Sequence, residues 1–395
     1  MQAASSLSPP VAAQSRLAAL DGIRALAILG VFVFHTTSIS GYPLDWLGPF
    51  ATPVVSGWMG VDLFFAMSGF LITRLWLDEE RAQPGESAGT RVKRFYARRS
   101  LRILPLYYFT LAAFVLLPRV ATLPTLAPFA ARVARHPMAL APYALFYANY
   151  VKFGGDGPLA VRWSLCVEEH FYLLWPVVLL LVRDRRRRLA VAAFACAALL
   201  AVRSLGIEYG GHRTGWASYS MVRYASHMRI DAILWGCVAA LAFDTLVAMP
   251  HARRGALALT GAAMAALVAS GETSVLHAPT VLGTGLGSSL LAVVAALVSA
   301  EVAAAPRSWL ARALALPPLP TLGFHSYAMY LVHPLAIDLA VKAVFGGVTE
   351  PTLRHWVGTL ALSMALALLV AVALHATVDR PFRRLRARLR LAAPA

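Results

Sequence analysis

Arg24 and His35 stand eleven residues apart in Leu17–Ser40, LAALDGIRALAILGVFVFHTTSIS, and the ten residues between them carry no charge. On a helix, eleven residues make about three turns and roughly 16 Å of rise, and return to nearly the same face. Ionisable side chains in an otherwise apolar helix are costly in lipid, which makes them candidates for function by default. An imidazole titrates near neutral pH and is the side chain suited to moving a proton. A histidine satisfied by hydrogen bonds inside a bundle is the plainer alternative. The face shared with Arg24 weighs against it.

Four further stretches carry polar chemistry. GWMGVDLFFAMSGFLITRLWL holds Asp62 and Ser68 in an apolar run, with Gly60 and Gly69 permitting close backbone approach. A carboxylate at that depth needs a cationic or hydrogen-bonding partner, and Arg24 and His35 are the nearest by sequence. In TRVKRFYARRSLRILPLYY, Arg99 and Arg102 are three residues apart and share a face at the mouth of a helix that Pro105 is expected to bend. Forked guanidiniums in that position suit phosphate groups, beyond the topogenic role of a basic loop. RWSLCVEEHFYLLWP brings Trp163 and Ser164 before Glu168, Glu169 and His170. A carboxylate accepting from an imidazole fixes its tautomer and raises its basicity, so Glu168 is paired with His35; Glu169 and His170 read as interfacial. In GFHSYAMYLVHPLAIDL, Tyr327, Tyr330 and His333 fall on roughly one stripe, either a polar packing seam or the lining of a substrate channel. No nucleotide loop, HExxH, GxSxG or metal-ligand spacing is present, so no metal is expected.

The elements that position these groups follow from composition. The 395 residues are 59% hydrophobic and 14% charged, with mean hydropathy +0.64, too apolar for a soluble domain. The net charge of +17 is gathered in short loops between apolar runs, which points to membrane topology and away from nucleic acid. Cys166, Cys196 and Cys237 lie in or beside apolar runs without a CxxC spacing and read as small core residues. Residues 1–16 are polar and lack a basic n-region, so the first apolar run reads as a retained signal anchor.

Candidate spans lie near 20–40, 54–77, 102–118, 164–182, 189–207, 229–249, 255–270, 280–300, 321–345 and 355–378. The fold class expected is an all-α polytopic transmembrane bundle of about ten helices, with both termini cytoplasmic. That topology keeps the basic loops around 81–102, 183–188, 251–254, 307–312 and 380–390 inside and puts His35 and Glu168 near the outer face. Met138–Val151 is apolar but short, and contains Pro142 and Asn149; it reads as an interfacial or re-entrant element. The expected organisation is a polar segment 1–16, a transmembrane domain 17–383 and a basic tail 384–395.

LDGIRALAILGVFVFH, GVDLFFAMSGFLI, RRSLRILPLYY, WSLCVEEHFYLLWP and SYAMYLVHP, in this order, resemble the acyltransferase-3 family of integral-membrane acyltransferases. The resemblance runs from about residue 17 to 383. It implies a bacterial inner-membrane, multi-pass enzyme (class EC 2.3.1) that moves an acyl group, commonly acetyl, from cytoplasmic acyl-CoA to a hydroxyl. The acceptor would belong to a surface or exported glycan, a glycolipid or a small-molecule glycoside such as a macrolide. Acyl-CoA is then a co-substrate, and no separate cofactor is implied. By position, the family's essential first-helix arginine and histidine fall on Arg24 and His35, its cytoplasmic arginine pair on Arg99 and Arg102, its SGF element on Ser68–Phe70 and its acidic residue on Glu168. Asp379 stands before the closing Arg-Pro, where the family often has Glu. Some members carry an added esterase-like domain, which is not expected here. His35 would act as general base on the acceptor hydroxyl or carry the acyl group itself. The competing class is a transporter or flippase whose polar helices line a path without bond chemistry.

Overall fold

The structure, a computed structural model, describes residues 11–42, 47–48, 50–119, 126–151, 157–210, 221–273, 279–346 and 352–389, with side chains from Leu17 onward. Of the polar segment expected at 1–16, residues 1–10 lie outside the described residues, as does the end of the basic tail at 390–395, while 11–16 begin the first helix. No strand occurs among the described residues. The main helices are α1 (Val11–Ser40), α2 (Gly60–Ala82), α3 (Ala88–Leu116), α4 (Trp163–Leu181), α5 (Arg185–Gly210), α6 (Ser226–Leu241), α7 (Pro250–Ala269), α8 (Ser288–Ala304), α9 (Leu319–Phe345), α10 (Leu353–Leu374) and α11 (Arg380–Arg388). The protein is an all-α helical bundle, as its long apolar runs require.

Helices stand at all ten expected positions, and eight helical stretches are long and apolar enough to cross a membrane. The two that fall short are α6 and α7. α6 has 16 residues, about 24 Å, and carries Arg229 and Asp231 in its first half. α7 opens on His251, Arg253 and Arg254 and is then rich in alanine and glycine. Helix α3 runs unbroken through Pro105, and α9 through Pro334. Met138–Val151 is not a span: it folds as short turns at Pro137–Leu140, Ala141–Ala144 and Ala148–Tyr150. The hydroxyls of Tyr107 and Tyr108 on α3 donate to the carbonyls of Tyr143 and Ala144, at 2.8 Å each, and tie this element to the bundle. Helix α11 crosses the boundary expected between domain and tail at 383, because Phe382, Leu385 and the arginines around them make a helical amphipathic turn.

Two close approaches set the frame. On α2 and α6, a Cβ at Gly69 would land on the backbone carbonyl of Ile233, and one at Gly236 on that of Ala66. Only glycine lets these backbones touch. On α1 and α9, a Cβ at Gly323 would overlap the Asp21 carbonyl, while further along the same two helices His35 meets His333. α1 and α9 therefore run parallel.

The basic loops converge on one end of the bundle. Arg188 at the start of α5 donates to Glu80 of α2 at 2.6 Å, and Arg91 of α3 reaches the same carboxylate at 3.4 Å. Arg185 and, at 2.7 Å, Arg81 both bind Asp244, and together they hold its carboxyl below the usual carboxylate range. Arg253 and Arg254 clamp Glu301 at 2.6 and 3.1 Å.

Candidate functional site

His35 lies on α1 near the end of the bundle away from the basic loops, with its ring edge-on to His333 of α9 at 4.8 Å between centroids. Its Nδ1 is 3.0 Å from the Val31 carbonyl one turn back. A carbonyl can only accept, so Nδ1 carries the proton and the neutral ring presents its lone pair at Nε2. His333 is built the same way: Nδ1 donates to the Tyr330 carbonyl at 2.7 Å, and its buried Nε2 has no hydrogen-bond partner among the described residues. Two imidazoles thus sit side by side, each held by its own helix and each with Nε2 able to take a proton.

The flank of this pair is hydroxyl-rich. Tyr330 donates to the Val161 carbonyl at 2.8 Å, and the Ser164 hydroxyl lies 2.7 Å from the Tyr330 oxygen. Trp163, at the first position of α4, packs on Phe65 and on Tyr224, with ring centroids 6.1 and 5.1 Å apart. Of the stripe read on α9, Tyr330 and His333 thus join His35, while Tyr327 turns to α3 and donates to the Ile103 carbonyl at 3.0 Å.

Glu168 is not where the sequence reading put it. It was expected beside His35. Its carboxylate instead faces the hydroxyls of Ser68 and Tyr172, with the Arg99 and Arg102 guanidiniums in electrostatic reach. Ser68 and Tyr172 are themselves 2.9 Å apart. Arg24 belongs to the same region: it is ion-paired with Asp21 and lies within reach of Arg102 and Glu168. The reason is register. The start of α2 and the turn before it pack on the middle of α1, Gly60 against Ala27 and Gly57 against Gly30, and this antiparallel register carries Ser68, about two turns on, past Arg24 toward Ala19. That level is about 24 Å short of His35 along the α1 axis. Tyr172 was missed in the sequence, although its place four residues after Glu168 on one helix face was the signal.

Arg99 and Arg102 line a cavity of about 330 Å³ that opens at the basic end. Arg98 joins them from α3, and Arg383 and Arg386 face them from α11. Trp76 and Phe95 form its apolar side. The Arg99 guanidinium lies over the Tyr172 ring, 5.6 Å from its centroid. Arg98 is ion-paired with Glu79, and Arg383 is 3.8 Å from Asp379. Among the described residues, no carboxylate stands within ion-pair distance of Arg99, Arg102 or Arg386.

Asp62 also departs from expectation. Its partner is neither Arg24 nor His35 but Arg229 of α6, which also donates to Ser288 at 2.9 Å. Next to it, Arg203 of α5 holds Asp231 bidentately at 2.6 and 2.9 Å and donates to Ser289 at 2.7 Å and to the Gly285 and Met228 carbonyls. All four charged side chains are fully buried. Asp62 is thereby committed to a structural network in which each charge has an opposite within reach.

A helical bundle with a pair of imidazoles toward one end and an arginine-lined cavity at the other defines a class, the polytopic membrane proteins. The chain belongs to the acyltransferase-3 family, whose model describes an acyltransferase domain and matches residues 17–375. The peptidoglycan O-acetyltransferase OatA of Listeria monocytogenes is 25% identical over 381 residues, covering 92% of this chain and 55% of its own length. The Bacillus subtilis protein YrhL is 27% identical over 387 residues, covering 92% of this chain and 54% of its own length. The chain thus spans little more than half the length of the curated relatives it matches. No solved structure matches it.

Proposed function

We propose that the protein is a multi-pass bacterial inner-membrane O-acyltransferase that moves an acyl group, most simply acetyl, from cytoplasmic acyl-CoA to a hydroxyl of a surface or exported glycan or glycolipid. The single observation that carries this reading is the division of α1. Its one end holds Arg24 within electrostatic reach of Arg102 of the arginine cavity, and its other end holds an imidazole whose Nδ1–H is engaged by Val31, which leaves Nε2 as the atom to accept a proton. The separation, about 16 Å along the helix, is one that the extended pantetheine arm of coenzyme A covers. The basic end is then cytoplasmic, as the positive-inside pattern favours. The name of the Listeria relative supports a glycan acceptor.

In this mechanism Arg99 and Arg102 bind the donor phosphates by forked, charge-assisted hydrogen bonds. Glu168, braced by Ser68 and Tyr172, positions the two guanidiniums and marks the throat through which the thioester arm passes. At the far end, His35 Nε2 takes the proton of the acceptor hydroxyl as its oxygen attacks the thioester carbonyl. The C–O bond forms, the C–S bond breaks, and the departing thiolate takes the proton back from the imidazolium as coenzyme A leaves. His333 borders the same space, and Tyr330 and Ser164 supply hydroxyls for orienting the acceptor. The Nδ1–H bond to Val31 keeps the His35 ring in the tautomer this step needs.

The test is transfer of label from radiolabelled acetyl-CoA to a glycan acceptor by the purified protein. Labelled acceptor means an enzyme; transport without label means a flippase and overturns the reading. A positioned general base is worth about 10²–10⁴ in rate. His35→Ala is expected to lose that factor while the protein inserts and elutes as the wild type does.

A further inference from the structure

We infer that the C-terminal helix α11 forms a separate subsite for the 3′-phosphate of the donor, with Arg383 and Arg386 as its ligands, while Arg99 and Arg102 hold the 5′-diphosphate. The inference rests on the acyl-CoA reading above and adds specificity to it. Both walls of the cavity carry a pair of guanidiniums three residues apart, one pair on α3 and one on α11. Residues at that spacing project from one face of a helix.

Several other arginines at this end of the bundle are neutralised: Arg91, Arg94, Arg185, Arg188 and Arg253 each have a carboxylate partner. In the cavity, Glu79 accounts for Arg98 and Asp379 lies at the edge of Arg383, which leaves Arg99, Arg102 and Arg386 without a carboxylate at ion-pair distance among the described residues, Glu168 standing farther off from the first two. An open set of like charges around one cavity is suited to a polyanion. Coenzyme A brings two anionic groups: a diphosphate with about one charge per phosphorus and a terminal monoester with close to two.

The order of the two pairs matches the order of the ligand. Arg99 lies over Tyr172 and within reach of Glu168, on the way into the bundle. Arg383 is exposed and Arg386 half-buried, at the rim. In coenzyme A the diphosphate is joined directly to the pantetheine arm, and the 3′-phosphate sits on the ribose beyond it. With the arm directed inward, the diphosphate meets α3 and the 3′-phosphate meets α11. The rim helix is held in place for this. His375 binds Asp379 at 2.8 Å at its start, and the Arg383 guanidinium lies over the Phe324 ring of α9, 5.0 Å from the centroid.

The experiment compares kcat/KM for acetyl-CoA and for acetyl-3′-dephospho-CoA in the wild type and in the double variant Arg383→Gln, Arg386→Gln. Charge-assisted hydrogen bonds of this kind are worth roughly ten- to hundredfold, so the wild type is expected to prefer acetyl-CoA by about that factor and the variant to show a ratio near one. A wild type indifferent to the 3′-phosphate, or a variant that keeps the full preference, overturns the subsite. Binding to the wild type alone decides the matter if the variant does not fold: adenosine 3′,5′-bisphosphate is expected to bind at least tenfold more tightly than 5′-AMP. The binding is repeated in nanodiscs of neutral and of anionic lipid. Equal discrimination in both supports the nucleotide; its loss in anionic lipid assigns these arginines to lipid phosphate and overturns the proposal. Discrimination of the bisphosphate without transfer from acetyl-CoA would support the subsite and remove the transferase reading instead.

Discussion

Two arginine-rich regions of this protein use the same side chain to opposite ends. In the network of α2, α5, α6 and α8, Arg203 and Arg229 are fully buried, each faces an aspartate, and Ser288, Ser289 and backbone carbonyls take up further guanidinium donors. In the cavity between α3 and α11, Arg99, Arg102 and Arg386 have no carboxylate at ion-pair distance among the described residues. The first arrangement is a closed account of charge that holds helices in register. The second leaves charge open toward space large enough for a ligand. A guanidinium inside a membrane bundle is therefore informative only once its partners are known.

The contrast can be broken in order of size. Asp231→Ala strips Arg203 of its partner inside the bundle, and removal of one half of a buried pair costs about 3–5 kcal/mol. The expected result is a large drop in thermal midpoint in detergent, or no folded protein; a midpoint within a degree of wild type would show that the network is not structural. Arg102→Ala is the opposite case. It relieves repulsion among like charges, so the midpoint should hold or rise, while KM for acetyl-CoA rises roughly ten- to hundredfold. An unchanged donor dependence removes Arg102 from the site.

Salt sharpens the same comparison. Because the cavity is open to water, raising ionic strength from about 0.01 to 1 M shortens the screening length from about 30 to 3 Å and should weaken donor binding. The buried network should be indifferent to it. A donor KM flat with salt would argue against an electrostatic site.

The smallest effect belongs to the exposed clamp of Arg81 and Arg185 on Asp244. The folded protein holds this carboxyl below its ordinary range. Its contribution is therefore present above the unfolded carboxylate pKa and is lost as pH falls through the lowered folded value. Wild type and Asp244→Asn should differ by under about 1 kcal/mol at pH 7 and converge in acid; a gap that persists in acid contradicts the assignment.

Much of this was legible in the chain. Runs of alanine, leucine and valine place helices, the arginines between them mark one end of the bundle, and the eleven-residue spacing of Arg24 and His35 picks out α1. The side-chain pairings were less so. Asp62 and Arg229 are 167 positions apart, and nothing local to either names the other. Depth in a helix assigns Glu168 to His35, but the α1–α2 packing register carries its neighbour Ser68 to the Arg24 side of α1, far from His35. Arg383 and Arg386 read as part of a topogenic tail, because charge runs beside a membrane helix are usually that. Their amphipathic spacing was the signal for a helix that could turn back on the bundle.

Transfer free energies and a 3.6-residue period act over a few turns, and from them the sequence alone determined which segments are helical, which loops are basic and which residues are expensive enough to be kept for chemistry. Which helix faces meet depends on glycine contacts and interlocking surfaces between segments far apart in the chain. Only the tertiary structure could therefore decide that one set of arginines is neutralised, that another stays open, and that His35 stands next to His333.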